Sequence, residues 1–226
     1  MGVTSTMVIT IDGPAAAGKS SVAKALADRL GFDYLDTGAM YRAVALAALR
    51  QGVDPNSEQA LQRLVAELDI QQRGDRTYLN GEDVSEAIRS VEVAEWSSRI
   101  ANSPAVRKRM VQLQRRAAEG RNIVAEGRNQ GTVVFPQAVC KIFLTADKRV
   151  RAQRRQQELA RKGIHKSVEQ ILAEQEQRDQ RDSQRAIAPL VPAKDAITID
   201  STNLSIDEVV DHIKQCAQRA MERRQH

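Results

Sequence analysis

Met7-Val-Ile-Thr-Ile-Asp12 runs directly into Gly13-Pro-Ala-Ala-Ala-Gly18-Lys19-Ser20, and the reading of this passage decides the fold. The first half is a short apolar, β-branched run that stops at Asp12-Gly13-Pro14, the pattern of a buried strand followed by a loop. The second half fits G-x-x-x-x-G-K-[ST]. Its glycines let backbone wrap a phosphate, and the loop amides and the helix start after them supply partial positive charge. Lys19 then reaches the β- and γ-phosphates, and Ser20 can ligate Mg²⁺. With Gly at about 7% of residues, the pattern arises by chance in roughly one chain in a hundred of this length. The strand before it and the helix after it make chance rarer still. The donor-binding segment is therefore read as Gly13, Pro14, Ala15, Ala16, Ala17, Gly18, Lys19, Ser20 and Ser21.

Outward from this loop, helix formers run from Lys19 to Leu30 and stop at Gly31, a C-cap glycine. Short apolar runs recur at Phe32–Leu35, Asn122–Ala125, Val139–Leu144 and Ala196–Ile199, separated by helical periodicity. Strands alternating with helices argue for an α/β fold, a parallel sheet covered on both faces. One segment breaks the rhythm: Asp69–Arg73, Arg76–Leu79 and Glu82–Val84 are strand-like, joined by Gly74-Asp75 and Asn80-Gly81. Asn-Gly is a strong two-residue hairpin signal, so a small antiparallel insert is expected there. Capping boxes at Ser167-x-x-Gln170 and Ser205-x-x-Glu208 start two later helices.

The 226 residues carry a net charge of +5 and only 3% aromatics, so anionic partners are expected, without the stacking platforms of a single-strand binder. Small phosphorylated molecules are favoured over nucleic acid. No apolar run approaches the roughly 20 residues that span a bilayer, and Met1–Thr6 shows no secretory leader. Cys140 and Cys216 are too few for a disulfide framework, and Cys140 sits in an apolar run as a small hydrophobe. A reduced, cytoplasmic protein without a membrane partner is the expectation.

The loop alone does not name the reaction. No Asn-Lys-x-Asp guanine reader occurs, and the nearest strand-terminal carboxylate is Glu126, where doubly wound sheets place ligands and where it could hold Mg²⁺ with Ser20. Arginines fall on faces. The helix after Ser167 has an apolar stripe through Val168, Ile171, Leu172 and Gln175, continued by Arg178, Arg181, Asp182 and Arg185. Inward charge needs pairing or a ligand, so this face is read as a cleft lining. Between Lys148 and Lys166 lies a second basic run, with only Glu158 opposing inside that span. It is read as a lid that excludes water from phosphoryl transfer, with Arg154 and Arg155 as its arms. In a third element, Asp36-Thr37-Gly-Ala-Met-Tyr41-Arg42, Thr37 or Asp36 caps a helix and Arg42 lies off the apolar stripe, free to reach a phosphate.

Gly13–Ser20, Leu35–Arg42, Glu126–Pro136 and Arg178–Leu190 together resemble the bacterial type of cytidylate kinase, in order and over nearly the whole chain. The resemblance implies ATP plus CMP or dCMP giving ADP plus CDP or dCDP, with Mg²⁺. It implies the P-loop nucleoside monophosphate kinase fold, with a five-stranded parallel core at 7–36, 121–147 and 186–226. The monophosphate-binding region with its antiparallel insert is then 37–120, and the lid with its following helix 148–185; a monomer is expected. By motif position, Thr37 and Tyr41 line the monophosphate pocket, and Arg42, Arg128 and Arg185 grip the acceptor phosphate. Ser98, Arg107 and Asn129 face the base, Arg178 lies near the phosphates and Asp182 reaches the sugar hydroxyls. Lys19, Arg128 and the lid arginines neutralise charge on the moving group.

Two positions depart from the family pattern, which reads Asp-Gly-Arg-Asp where this chain has Glu126-Gly127-Arg128-Asn129. Glu126 keeps the charge one methylene further out. Asn129 both accepts and donates, so weaker discrimination against UMP is expected, which would make the chain a broader pyrimidine kinase. From another class, a non-catalytic nucleotide- or RNA-binding protein would also carry the cradle; intact Lys19-Ser20 and the sparse aromatics argue against it.

Overall fold

The computed structural model describes residues 6–185 and 187–225. In chain order the elements are β1 (Val8–Asp12), α1 (Lys19–Leu30), β2 (Asp33–Asp36), α2 (Thr37–Arg50) and α3 (Glu58–Glu67). Then come β3 (Ile70–Arg73), β4 (Arg76–Leu79), β5 (Glu82–Asp83), α4 (Val91–Ile100), α5 (Pro104–Ala118) and β6 (Ile123–Gly127). A π-helical turn, Gln130–Val134, precedes β7 (Cys140–Thr145), α6 (Lys148–Ala160), α7 (Val168–Ser183), β8 (Ile197–Asp200) and α8 (Ile206–Gln225). The main sheet has five strands in the order β2-β6-β1-β7-β8. β1 is parallel to β6, with Ile11 opposite Glu126, and parallel to β7, with Ile11 opposite Ile142. The chain divides into two compact units, one of residues 1–32 and 122–226 and one of 33–121.

In the first unit the central strands are buried on both faces, as their unbroken apolar runs require: Ile9, Ile11, Ile123, Val124, Ile142 and Leu144 are all inaccessible. Gly31 ends α1 in the left-handed conformation expected of it, at φ 65. The inner faces of α1 (Val22, Ala23, Leu26, Ala27) and α8 (Val209, Val210, Ile213, Ala217) are buried. Arg29 of α1 pairs with Asp207 and Asp211 of α8. The helix pair α6–α7 closes over Ala152, Leu159 and Ile171, with Ile164, Val168 and Leu172 packed around them. Ser167 caps α7 in the expected box, and Ser205 with Glu208 forms the second box ahead of α8.

In the second unit the three-stranded sheet β3-β4-β5 is antiparallel, and Asn80-Gly81 makes its two-residue turn with both residues at positive φ. Asp36, not Thr37, caps α2 by accepting from the Ala39 amide. Among the described residues, no helix is long and apolar enough to cross a membrane. Cys140 is buried, and burial pushes its thiol up to about 12.

Candidate active site

β1 delivers the phosphate loop. Gly13 stands at φ 153, and an added Cβ would meet the Leu144 carbonyl oxygen at 2.0 Å, so the loop leaves the sheet over ground only glycine can cross. Lys19 opens α1, is 5% exposed and donates from Nζ to the Pro14 carbonyl at 2.7 Å. Burial, with the Arg128 guanidinium, pulls its ammonium down to about 7, while Glu126 and Asp12 work in the other direction. Ser20 Oγ donates to Glu126 Oε1 at 2.7 Å, bringing the two expected metal ligands together from residues far apart in sequence. A hydroxyl and a carboxylate are hard oxygen donors of the kind Mg²⁺ takes alongside substrate phosphates. Among the described residues there is no group of three or more acidic, His or Cys side chains that could form a protein-only cage.

Asp12, at the end of β1, was not singled out from sequence. It is 5% exposed and accepts the Gln130 amide on Oδ1 and the Gly131 amide on Oδ2, each at 2.8 Å. Burial raises its carboxyl above the ordinary value in spite of those two bonds and of Lys19 and Arg128 nearby. Its oxygens thus fix the turn that follows Arg128 and Asn129. A carboxylate directly after the apolar strand was the available signal.

The charged continuation of α7 turns inward as expected at Asp182, which is 2% exposed. Arg128 Nε donates to Asp182 Oδ2 at 3.0 Å, and Arg185 pairs with Oδ1 of the same carboxylate. Burial would raise the Asp182 carboxyl, but Arg128, Arg185 and Arg178 outweigh it and hold it below the usual range. One carboxylate thus holds two guanidinium groups by contact, with the Arg178 charge near enough to act on it, a concentration of positive charge suited to an anion. Arg181 departs from the expected face: it is exposed and donates to the Gln177 carbonyl of its own helix, three residues being 300° of turn and not a full circle. Arg185 lies beyond the last residue of α7 and still reaches Asp182.

Beyond Glu158 inside its own span, the basic run finds partners on α7. Lys148, Arg149 and Lys166 pair with Glu176, Glu169 and Glu174 of α7, a neutralisation invisible until the two helices are laid together. Arg154 donates to Ser201 Oγ at 3.1 Å and to the Ser201 carbonyl at 2.7 Å, and Arg155 pairs with Glu158. Arg151 of the same helix does reach the phosphate loop, its guanidinium bonded to the Ala15 carbonyl at 3.1 Å.

In the second unit, Arg42 is not free: it pairs with the capping Asp36 at 3.2 Å. Thr37 is buried at the head of α2, and Tyr41 is half-buried one turn on. Ser98 on α4 and Arg107 on α5 are 7% and 6% exposed, and Ser98 Oγ and Arg107 Nε make no hydrogen bond among the described residues. Buried polar atoms without partners are costly, and a ligand would satisfy them.

A glycine-led loop after the first strand of a parallel sheet, with a buried lysine and a serine–carboxylate pair, defines a phosphate-loop kinase. Comparisons with known proteins narrow the class. The cytidylate kinase family matches residues 9–219. Relatives named cytidylate kinase include those of Shewanella pealeana (45% identical, covering 92% of this chain and 95% of that one) and Azotobacter vinelandii (48% identical, 92% and 93%). A third, from Ralstonia pickettii, is 48% identical over 91% of this chain and 89% of its own. The chain belongs to the cytidylate kinase family. A crystal structure of an uncharacterized protein from Eubacterium ventriosum, 14% identical, shares the fold at a TM-score of 0.52 over 95% of this chain and 99% of that one.

Proposed function

We propose that this kinase transfers the γ-phosphoryl group of ATP to CMP or dCMP, giving ADP and CDP or dCDP. The observation that carries the reading is Arg128 and Arg185 paired on buried Asp182, with the charges of Arg128 and Arg178 both felt at Lys19: both substrates bring phosphate, and the moving group needs charge neutralised around it. The cytosine base follows from family membership. Lys19 and Arg128 neutralise charge on the transferred group, and Gly13 through Ser21 receive the donor's phosphates. Arg178 and Arg185 hold phosphate, and Asp182 takes the sugar hydroxyls. Thr37, Tyr41, Arg42, Ser98 and Arg107 serve the acceptor, and Arg154 and Arg155 belong to a lid of residues 148–185. Ser20 and Glu126 would hold Mg²⁺, which supplies Lewis-acid charge to the phosphates. No dedicated base is required, because a phosphate oxygen of the acceptor is already the nucleophile. The reading carries with it a monomeric enzyme of the cytoplasm.

The test is ADP release with ATP and Mg²⁺, offering CMP, dCMP, UMP and AMP in parallel. Turnover with CMP and dCMP is expected; silence on all four sinks the reading. Asn129, 6% exposed, favours a second point: its amide serves cytosine or uracil by flipping. The kcat/KM values for CMP and UMP are expected to differ by less than about 10⁴, the ratio a dedicated polar readout achieves. A larger ratio removes this role from Asn129.

A further inference from the structure

The phosphate loop contains a backbone conformation that needs support. Ala16 stands at φ 57, in the left-handed region where Cβ crowds the following carbonyl. The residue before it, Ala15, has both backbone polar groups taken by side chains from far along the chain. Its N–H donates to Asp179 Oδ1 at 3.3 Å, and its carbonyl accepts from Arg151 Nη1 at 3.1 Å. Arg151 Nη1 also donates to Asp179 Oδ2 at 2.6 Å, closing the ring. Arg151 is itself held: its side chain is 5% exposed, and its Nε donates to the Ala146 carbonyl at 3.1 Å. Gln175, one turn before Asp179 on α7, reaches the Arg151 carbonyl from Nε2 at 3.4 Å.

A buried guanidinium committed to two carbonyls and a carboxylate is costly to desolvate and adds little net stability, so its effect is to fix geometry. A strained residue persists where its neighbours over-determine it, and the fork on Ala15 does this for Ala16. Alignment of reacting groups is sensitive on the scale of an ångström, so a loop released at Ala15 loses donor alignment. We propose that Arg151 and Asp179 are positioning residues for the phosphate donor, holding Ala15 and Ala16 in the conformation that receives it. Neither touches the reacting atoms, and the inference rests on the ATP-dependent reaction proposed above.

The experiment uses the full chain carrying Asp179→Ala, with ATP and CMP varied separately and amide exchange at Ala15 followed without nucleotide. Wild-type turnover is measured first. Its absence would sink the proposed reaction, while amide exchange would still test the clamp. Exchange at Ala15 is expected to quicken at least tenfold and KM for ATP to rise at least tenfold, with KM for CMP changing less than threefold. The rise in KM for ATP caused by Asp179→Ala should be at least threefold smaller in an Ala16→Gly background, because glycine holds this φ without help. Packing damage alone would not be relieved at residue 16. If Asp179→Ala fails to fold, Asp179→Asn, which keeps an acceptor for Ala15 and loses the charge facing Arg151, is read by the two KM values and their relief in the Ala16→Gly background, the exchange criterion applying to Asp179→Ala alone. Unchanged Ala15 exchange, parallel rises in both KM values, or an equal loss in the Ala16→Gly background overturns the proposal.

Discussion

Raising the pH from 7.5 to 9 should discharge one cation of the phosphate loop while leaving the arginines charged. Lys19 titrates at about 7 in the free protein because it is buried and lies near Arg128. A bound phosphate reverses the balance: the anion favours the ammonium, so the complex holds the proton more tightly than the free protein does. Affinity carried by that charge is complete below pH 7 and lost as pH rises above it, one log unit per pH unit, until the complex itself deprotonates. Between pH 7.5 and 9 the protonated fraction falls from about 0.24 to about 0.01, roughly 25-fold, or about 2 kcal/mol. Nucleotide phosphates, with a second pKa near 6, are ionised throughout this window and add no slope of their own. Calorimetric titration of ADP, in two buffers with different ionisation heats, reads both the affinity and the proton taken up. Lys19→Met should be weaker at all pH values and flat across the window. A flat wild-type profile, or the same slope in Lys19→Met, refutes the argument.

Lys19→Ala should lower turnover at least about 10²-fold, the scale of a lost transition-state contact, in the ADP-release assay. Gly13→Ala drives a Cβ to 2.0 Å from the Leu144 carbonyl oxygen at a φ of 153, and should cost about 3 kcal/mol or more in urea unfolding. Asp12→Asn turns an amide NH₂ toward one of the two backbone N–H groups now satisfied at 2.8 Å, a loss of about 1–3 kcal/mol by the same measurement. If Ser20 and Glu126 hold Mg²⁺ as proposed, Glu126→Gln should raise the Mg²⁺ concentration for half-maximal rate about tenfold or more, read by titrating free Mg²⁺ at saturating nucleotide.

What could be read in advance was local. Each main-sheet strand was foreshadowed by a short apolar run, and Gly31 and Asn80-Gly81 ended or turned the chain where their φ preferences dictate. Ser20 and Glu126 were each visible as oxygen donors at the ends of motifs. What could not be read was pairing across the chain. Arg42 looked free because Asp36 was taken only as a cap, and the 148–166 run showed only Glu158 against it because its other partners sit on another helix. Periodicity identifies a face and is silent about what that face meets. The same blindness hid Asp12 and the Arg151–Asp179 fork, whose partners lie more than a hundred residues away.

The pairing of Arg29 with Asp207 and Asp211 joins parts of the chain that are synthesised far apart in time. The unit of residues 33–121 is one continuous stretch, whereas the other is split around it, and its first part carries β1 and α1. As the chain emerges from a ribosome at about 5–20 residues per second, Arg29 waits on the order of 10–40 s for Asp211 to follow. Ile9 and Ile11 wait for β6 and β7, and Val22 and Leu26, buried in the finished fold on the helix that Arg29 ties to α8, wait for α8. The inserted stretch can close on itself first, so the segment that carries the phosphate loop is made early and finished late. Its apolar strand is the surface on which a nascent-chain chaperone would act.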